Sequence, residues 1–306
     1  MKIVTAGKAF TDIDAYGGCI AYAELLQKQG FDAKAVSTAP LNESITKTVR
    51  SWDAPIETTY TPSDDDTFSL VDVSEAKHFE AFVDLERIDA VIDHHPGFEA
   101  FWQERIGDNA HIEAVDAACT QVYELWKEAG LLDQMSATSA KLLVCGILDN
   151  TLNFGAAITT DRDKTAYADL MKRSGLPDDW PATYFSECQE QILADLATAA
   201  KNDTKTLEFR TFSVPMRVGQ IVVWDAQAVL DNKTTLEQAV GGVEPYWFVN
   251  IVSIADGKSH FYCTSGAVKV WLAELLDVTF DGDLAAASRM WLREEILSED
   301  LQTVEL

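Results

Sequence analysis

Thiol chemistry has little to work with in this 306-residue sequence. The five cysteines, Cys19, Cys119, Cys145, Cys188 and Cys263, are scattered and never form C-x-x-C. That spacing excludes a disulfide framework and a thiolate zinc site, leaving them as small core residues. Positive charge is also scarce, with 24 Lys and Arg against 50 Asp and Glu and a formal charge of −26. Binding a phosphate backbone needs clustered cations to replace counterions, so nucleic acid is not an expected partner. No run of about eighteen uncharged apolar residues occurs, and no membrane span is expected. The opening "MKIVTAGKAF" reads as a strand and not as a signal peptide, which makes a cytoplasmic protein the expectation. There is no internal repeat and no low-complexity tract.

What is present is a globular composition, 47% hydrophobic and 24% charged, in a chain long enough for two domains that each bury a core. "KIVTAG" (2–7), "SLVDVS" (69–74) and "AVID" (90–93) are apolar runs that end in polar residues, the pattern of buried parallel strands opening into loops. Helix-like stretches alternate with them: "AYGGCIAYAELLQKQG" with Gly30 as C-cap, "TQVYELWKEAG" and "TSAKLLVCGILDN". An α/β open sheet follows, with ligands expected at the carboxyl ends of its strands. Gly175, Pro177 and Pro181 in "RSGLPDDWPATYF" (173–185) mark a linker. The two domains are therefore placed at 1–180 and 186–306. The second reads as a long helix (187–201), strands in "TLEFRTFSV", "GQIVVWD", "PYWFVNIVSI" and "HFYCTSG", and a closing helix in "DLAAASRMWLREEIL". That is a smaller α/β domain with a mixed sheet.

Four acidic and imidazole positions stand out. Asp12 and Asp14 in "FTDIDA" are two apart, which in an extended segment puts both carboxylates on one side. Asp72 ends the second strand-like run and His94 the third, so a parallel sheet would gather them at one edge. Carboxylates with one imidazole suit Mn²⁺, Mg²⁺ or Co²⁺ better than a structural zinc. Neighbouring strand residues point to opposite faces, so His94 is the expected ligand and His95 is expected to face substrate as hydrogen-bond donor or general acid. Asp93 is then available to orient an imidazole.

"TDIDA", "LVDVS", "VIDHHPG" and "GILDNTLNF" resemble, in order and approximate spacing, the four motifs of the DHH phosphoesterase superfamily. Through "KNDTK" and "SRMWL" the second domain is similar to that of manganese-dependent family II inorganic pyrophosphatases and their exopolyphosphatase relatives. The resemblance implies an N-terminal DHH domain joined to a DHH-associated C-terminal domain of the pyrophosphatase type. It also implies metal ligands at Asp12, Asp14, Asp72 and His94, with the fourth-motif ligand falling on Asn150 or its neighbour Asp149. A phosphate grip by His95, Lys205 and Arg289 is implied, and a homodimer is possible. Three positions depart from the family pattern. Lys8 stands where a ligand His is implied, where its ammonium would bring positive charge near Asp12 and Asp72. Asn150 replaces a carboxylate, and Met290 replaces a lysine beside Arg289.

Three functions follow. The first is a metal-dependent phosphohydrolase acting on pyrophosphate, short polyphosphate or a related small phosphate, with Lys8, Asp93 and His95 as candidate catalytic groups. The second is a catalytically impaired phosphate-binding or regulatory protein on the same fold. A nucleotide phosphodiesterase ranks third, because no G-G-H signature is found near the C-terminus and "TSGAVKV" is a poor substitute.

Overall fold

The computed structural model describes residues 1–242 and 245–302, so the last four positions of the second expected domain lie outside the described residues. The chain divides into two compact units, Met1–Pro181 and Ala182–Leu306. Among the described residues no helix is long and apolar enough to cross a membrane.

The first unit holds six strands, β1 (Lys2–Thr5), β2 (Ala33–Val36), β3 (Ile56–Glu57), β4 (Thr67–Val71), β5 (Ile88–Asp93) and β6 (Ala110–Ile112). They pair in the order β3-β2-β1-β4-β5-β6, all parallel. Its helices are α1 (Ile13–Lys28), α2 (Lys47–Arg50), α3 (Glu99–Ile106), α4 (Ala118–Glu128), α5 (Ala137–Asn150) and α6 (Asp161–Ser174). Strand order runs away from β1 in both directions, and the crevice at such a reversal is where an open α/β sheet receives its ligand. Ile3, Phe68, Leu70, Val91 and Trp102 fill one core cluster. Elsewhere α1 lies very close to its neighbours: a Cβ on Gly17 would come within 2.9 Å of the Leu142 carbonyl oxygen, and one on Gly18 within 2.7 Å of the Val71 side chain.

The second unit contains β7 (Thr204–Leu207), β8 (Met216–Val223), β9 (Trp247–Ser253), β10 (Lys258–Tyr262), β11 (Phe280–Asp281) and β12 (Leu284–Ala286), ordered β11-β12-β10-β9-β8-β7. The β8–β9 pair is parallel and the others antiparallel, a mixed sheet as the sequence implies. Helix α7 (Trp180–Ala194) begins at the unit boundary, and α8 (Leu196–Asn202), α9 (Gln227–Leu230), α10 (Lys233–Leu236), α11 (Gly266–Leu276) and α12 (Arg293–Gln302) follow.

Several expectations need correction. The segment 173–185 is not a continuous linker: α6 runs to Ser174, Gly175 caps it in the left-handed conformation, and α7 starts at Trp180 with Pro181 in its first turn, where proline costs the helix nothing. The long helix at 187–201 is broken at Asp195, whose carboxylate leaves the helix and accepts from Thr198 N–H to cap α8. The strand expected in "TLEFRTFSV" ends at Leu207. "DLAAASRMWLREEIL" is not one helix. Ala285 and Ala286 pair with β10 as β12, and helix starts only at Arg293, because strand pairing outweighs the helical preference of the alanine run. Arg289 therefore sits on a loop.

Candidate metal centre and anion-binding residues

Three strands deliver the acidic cluster. After β1 the chain reaches Asp12, which is not extended beside Asp14 as its spacing suggests. Asp12 caps α1, its Oδ1 accepting from Ala15 N–H at 3.0 Å, and Asp14 lies inside the first turn. The two carboxylates consequently take different environments. Asp14 is fully buried and well supplied with donors: Cys119 N–H reaches Oδ1 at 2.8 Å, while Ala118 N–H (2.8 Å) and the Asn150 amide (2.6 Å) reach Oδ2. The first two donors are the free N–H groups that open α4, where the helix field favours an anion. Gly146 makes this packing possible, since a Cβ there would lie 2.4 Å from Cys119 Sγ and 3.1 Å from Asp14 Oδ1.

Asp72 follows β4 with φ of +61°, a left-handed conformation unusual for a non-glycine residue. Its N–H donates to the Ile92 carbonyl at 2.8 Å, pinning the strained residue to β5. Backbone strain held by its surroundings is typical of functional sites. Asp72 Oδ1 is buried without a hydrogen-bond partner of normal geometry, yet lies 3.2 Å from His94 Nε2 and 3.8 Å from His95 Nδ1.

The two histidines do not point to opposite faces. Strand β5 ends at Asp93, so the alternation of strand side chains no longer applies to 94 and 95, and their rings lie 4.3 Å apart. One donor atom each from Asp72, His94 and His95 fall within 4.8 Å of one another. Asp93 is fully buried and gathers this turn: its Oδ1 accepts from His94 N–H (2.8 Å), His95 N–H (3.2 Å) and His95 Nδ1 (2.8 Å). Gln121 of α4 donates to the Asp93 carbonyl at 2.7 Å.

Electrostatics follow from crowding. Burial, then the charge of Asp72, raises the Asp12 carboxyl well above its usual range. The same two causes push Asp14 up to about 6 against the opposing pull of His94. Burial alone would lower His94, but its bond to Asp72 and the charges of Asp72, Asp14 and Asp93 push it up to about 10. The bond to Asp93 raises His95, and despite burial that same bond holds Asp93 below the usual carboxylate range. The imidazolium of His94 is thus the cation that the cluster presents to its own carboxylates.

Of the remaining positions, Asp149 adds negative charge felt at Asp12. Lys8 is exposed and its side chain makes no ion pair among the described residues, so it does not neutralise Asp12 or Asp72. In the second unit, Lys205 Nζ lies 3.2 Å from Glu294 Oε1. Arg289 stacks 3.4 Å over the Trp291 ring and donates to Glu295 Oε1 at 2.9 Å. Met290 is buried and adds no charge there.

Sequence reasoning misses the α4 N–H groups, Gly146, Gln121, Trp291 and the Asp203–Arg293 pair. Backbone donors leave no residue-type signal, and Gly146 differs from any helical glycine only through its neighbours. Asp203 and Arg293 were open to notice as opposite charges in "KNDTK" and "SRMWLREE", but pairing across 90 residues has no local signature.

Residues 2–147 match the N-terminal domain of the DHH family. The Asp-His-His triplet at 93–95 lies within that match. The chain is also similar, at 26% identity over 250 residues covering 78% of this chain and 76% of the relative, to a Lactobacillus johnsonii protein named for manganese-dependent inorganic pyrophosphatase. A Methanococcus jannaschii structure assigned to family II inorganic pyrophosphatases shares the fold, with 20% identity, 99% of each chain covered and a TM-score of 0.67. So does an exopolyphosphatase-related protein from Bacteroides fragilis, with 12% identity, 99% and 91% covered and a TM-score of 0.53.

Proposed function

We propose that the protein is a metal-dependent phosphohydrolase acting on a small phosphoanhydride or phosphoester, with Mn²⁺ as its ion and pyrophosphate or short polyphosphate as the substrate class. The observation that carries this reading is the convergence of Asp72, His94 and Asp14 at the sheet's reversal point, with a buried Asp72 oxygen lacking a regular partner and no lysine or arginine in the cluster. Such a donor set suits a hard, oxygen-seeking divalent cation.

Asp14, Asp72 and His94 would hold the ion, with Asp12 and Asp149 contributing charge. His94 would bind through Nε2, the atom that now faces Asp72. When bound, a divalent ion supplies Lewis-acid polarisation of a phosphoryl oxygen and a nucleophilic water at neutral pH. The chain's own groups do the rest. His95 has its Nδ1–H committed to Asp93 and its ring 61% exposed, so Nε2–H is free to donate to a phosphoryl or leaving-group oxygen. The Asp93 bond fixes the ring's orientation and favours its charged form. Within the second unit, Lys205 and Arg289 would bind phosphoryl oxygens, the guanidinium by paired donors.

A second reading, a phosphate-binding protein without turnover, is favoured by two specific features. Lys8 is exposed and makes no ion pair among the described residues, and position 150 offers Asp14 an amide donor where the resemblance implies a carboxylate ligand. The test is phosphate release from pyrophosphate and tripolyphosphate with Mn²⁺ and with chelator. Chelator-sensitive release that disappears in Asp72→Asn is expected. An Asp72→Asn protein as active as the native one would overturn the assignment, and ligand binding without release would establish the second reading.

A further inference from the structure

Asp203, immediately before β7, and Arg293, which opens α12, form an ion pair in the second unit whose arginine lies deep while the Asp203 side chain is 46% exposed. The Arg293 side chain is 4% exposed; its Nη2 donates to Asp203 Oδ1 at 2.7 Å and its Nη1 to the Asp203 carbonyl at 2.8 Å. Its N–H donates to Gln220 Oε1 at 2.7 Å. Arg293 Nε is buried without a hydrogen-bond partner, 3.7 Å from Glu294 Oε1. A guanidinium this deep is an expensive way to hold a small domain together, and apolar side chains of the same size would serve stability as well or better.

Its surroundings give it a different task. Lys205 lies two residues beyond Asp203 on β7, and its ammonium meets Glu294, the residue after Arg293. Arg289 lies four residues before Arg293 on a loop sewn to β9 and β10. Trp291 O accepts from Asn250 Nδ2 (2.6 Å) and Ser259 Oγ (3.1 Å), Trp291 N–H donates to Ser259 Oγ (2.9 Å), and Ser259 N–H donates to Arg289 O (3.0 Å). The Arg289 loop is thereby fixed to the middle of the sheet. Lys205 belongs to an edge strand that, among the described residues, pairs only with β8. The Asp203–Arg293 pair, buried on its arginine side, joins the start of that edge strand to the end of the Arg289 loop.

We propose that Asp203 and Arg293 are positioning residues: a clasp that fixes Lys205 relative to Arg289, so that the two cations meet adjacent phosphoryl groups of one ligand. This rests on the reading of Lys205 and Arg289 as the phosphate grip. Long cationic side chains bind a polyanion tightly only when their backbones are already placed, because otherwise ordering them on binding offsets the attraction.

The experiment is calorimetric binding of imidodiphosphate, a non-hydrolysed pyrophosphate analogue, to the full chain with Mn²⁺. Lys205→Ala and Arg289→Ala come first, and each is expected to weaken binding. If neither does, the phosphate-grip reading fails and takes the clasp with it. The clasp is then replaced by apolar residues in Asp203→Leu/Arg293→Met. A melting temperature near that of the native protein is expected, with binding weakened at least about tenfold. Adding Lys205→Ala to this variant should cause little further loss, because an unplaced lysine has little left to give. Native affinity in the apolar double variant, or a full Lys205→Ala effect within it, would overturn the clasp while leaving the grip intact. Should the double variant not fold, Arg293→Lys keeps the charge and removes the two-pronged contact. Weakened binding by folded Arg293→Lys is expected, and native affinity would overturn the proposal.

Discussion

An amide at position 150 changes what Asp14 meets in the absence of metal. Asn150 donates to Asp14 Oδ2 at 2.6 Å, whereas a carboxylate there would add charge to a crowded buried group. Asn150→Asp is therefore expected to destabilise the metal-free protein by ~2–3 kcal/mol, the cost of losing a bond to a charged group and gaining a like-charged neighbour. The same change should strengthen Mn²⁺ binding and enlarge the rise in melting temperature on adding Mn²⁺. Thermal melts with and without the ion check both halves, and an unaltered metal-free melting temperature would contradict the role given to Asn150. Proton linkage offers an independent check at the same scale. With Asp14 pushed up to about 6 and His94 to about 10, the metal-free cluster holds protons that must leave before those atoms bind a cation. Mn²⁺ competes with protons, so its affinity should rise with pH between these two values, by at most about tenfold per pH unit for each proton released. Titration calorimetry at pH 6, 7 and 8, in buffers of different ionisation enthalpy, measures both the affinity and the proton count. A pH-independent affinity would mean that His94 is neutral before metal arrives.

At the scale of elements, the site depends on how closely α1, α4 and α5 approach one another. Gly146→Ala puts a methyl 2.4 Å from Cys119 Sγ and 3.1 Å from Asp14 Oδ1. Overpacking of this kind costs about 1–3 kcal/mol or more. Because the clash falls on the N-terminus of α4, which supplies two donors to Asp14, Mn²⁺ affinity should fall along with stability. Denaturant unfolding and metal titration of the one variant test both, and a protein of native stability would show that α5 has room to move. Elements like these differ in how well the sequence announces them. Strands β1, β4 and β5 are legible because each is a buried apolar run that stops at a polar residue, and Asp72 and His94, just beyond β4 and β5, are brought together with Asp14 of the first turn of α1. The geometry beyond the strand ends is not legible. Alternation of side chains misplaces His95 because β5 stops at Asp93, and the two-residue spacing of Asp12 and Asp14 hides a helix start between them. The alanine run at 285–287 favours a helix locally, yet it is recruited by β10. In the last case a long-range partner outweighs the local pattern, whereas at Asp12 and His95 a capping bond and a turn bond two or three residues away set the geometry.

Over the whole molecule, the formal charge of −26 opposes the anionic ligand that the site would bind. Phosphate bound as proposed would have to approach through a repulsive field and find its attraction only within the last few ångströms, at His95 and a bound ion. Salt acts on these two regimes differently. At roughly 0.01 M ionic strength the screening length is about 30 Å, and the full charge is felt during approach; at about 0.15 M it is about 8 Å, short enough to remove the distant repulsion and leave close contacts largely in place. An enzyme whose net charge attracts its substrate loses association rate as salt is added. Here the sign is reversed, and kcat/KM for pyrophosphate at saturating Mn²⁺ should rise several-fold between those two ionic strengths before competing anions reduce it. Varying ionic strength with a weakly coordinating salt, with free Mn²⁺ held constant, measures the effect. A steady fall from the lowest salt upward would mean that a local positive field reaches far enough into solvent to outweigh the chain's net charge, and that the route to the site is lined by cations other than those described.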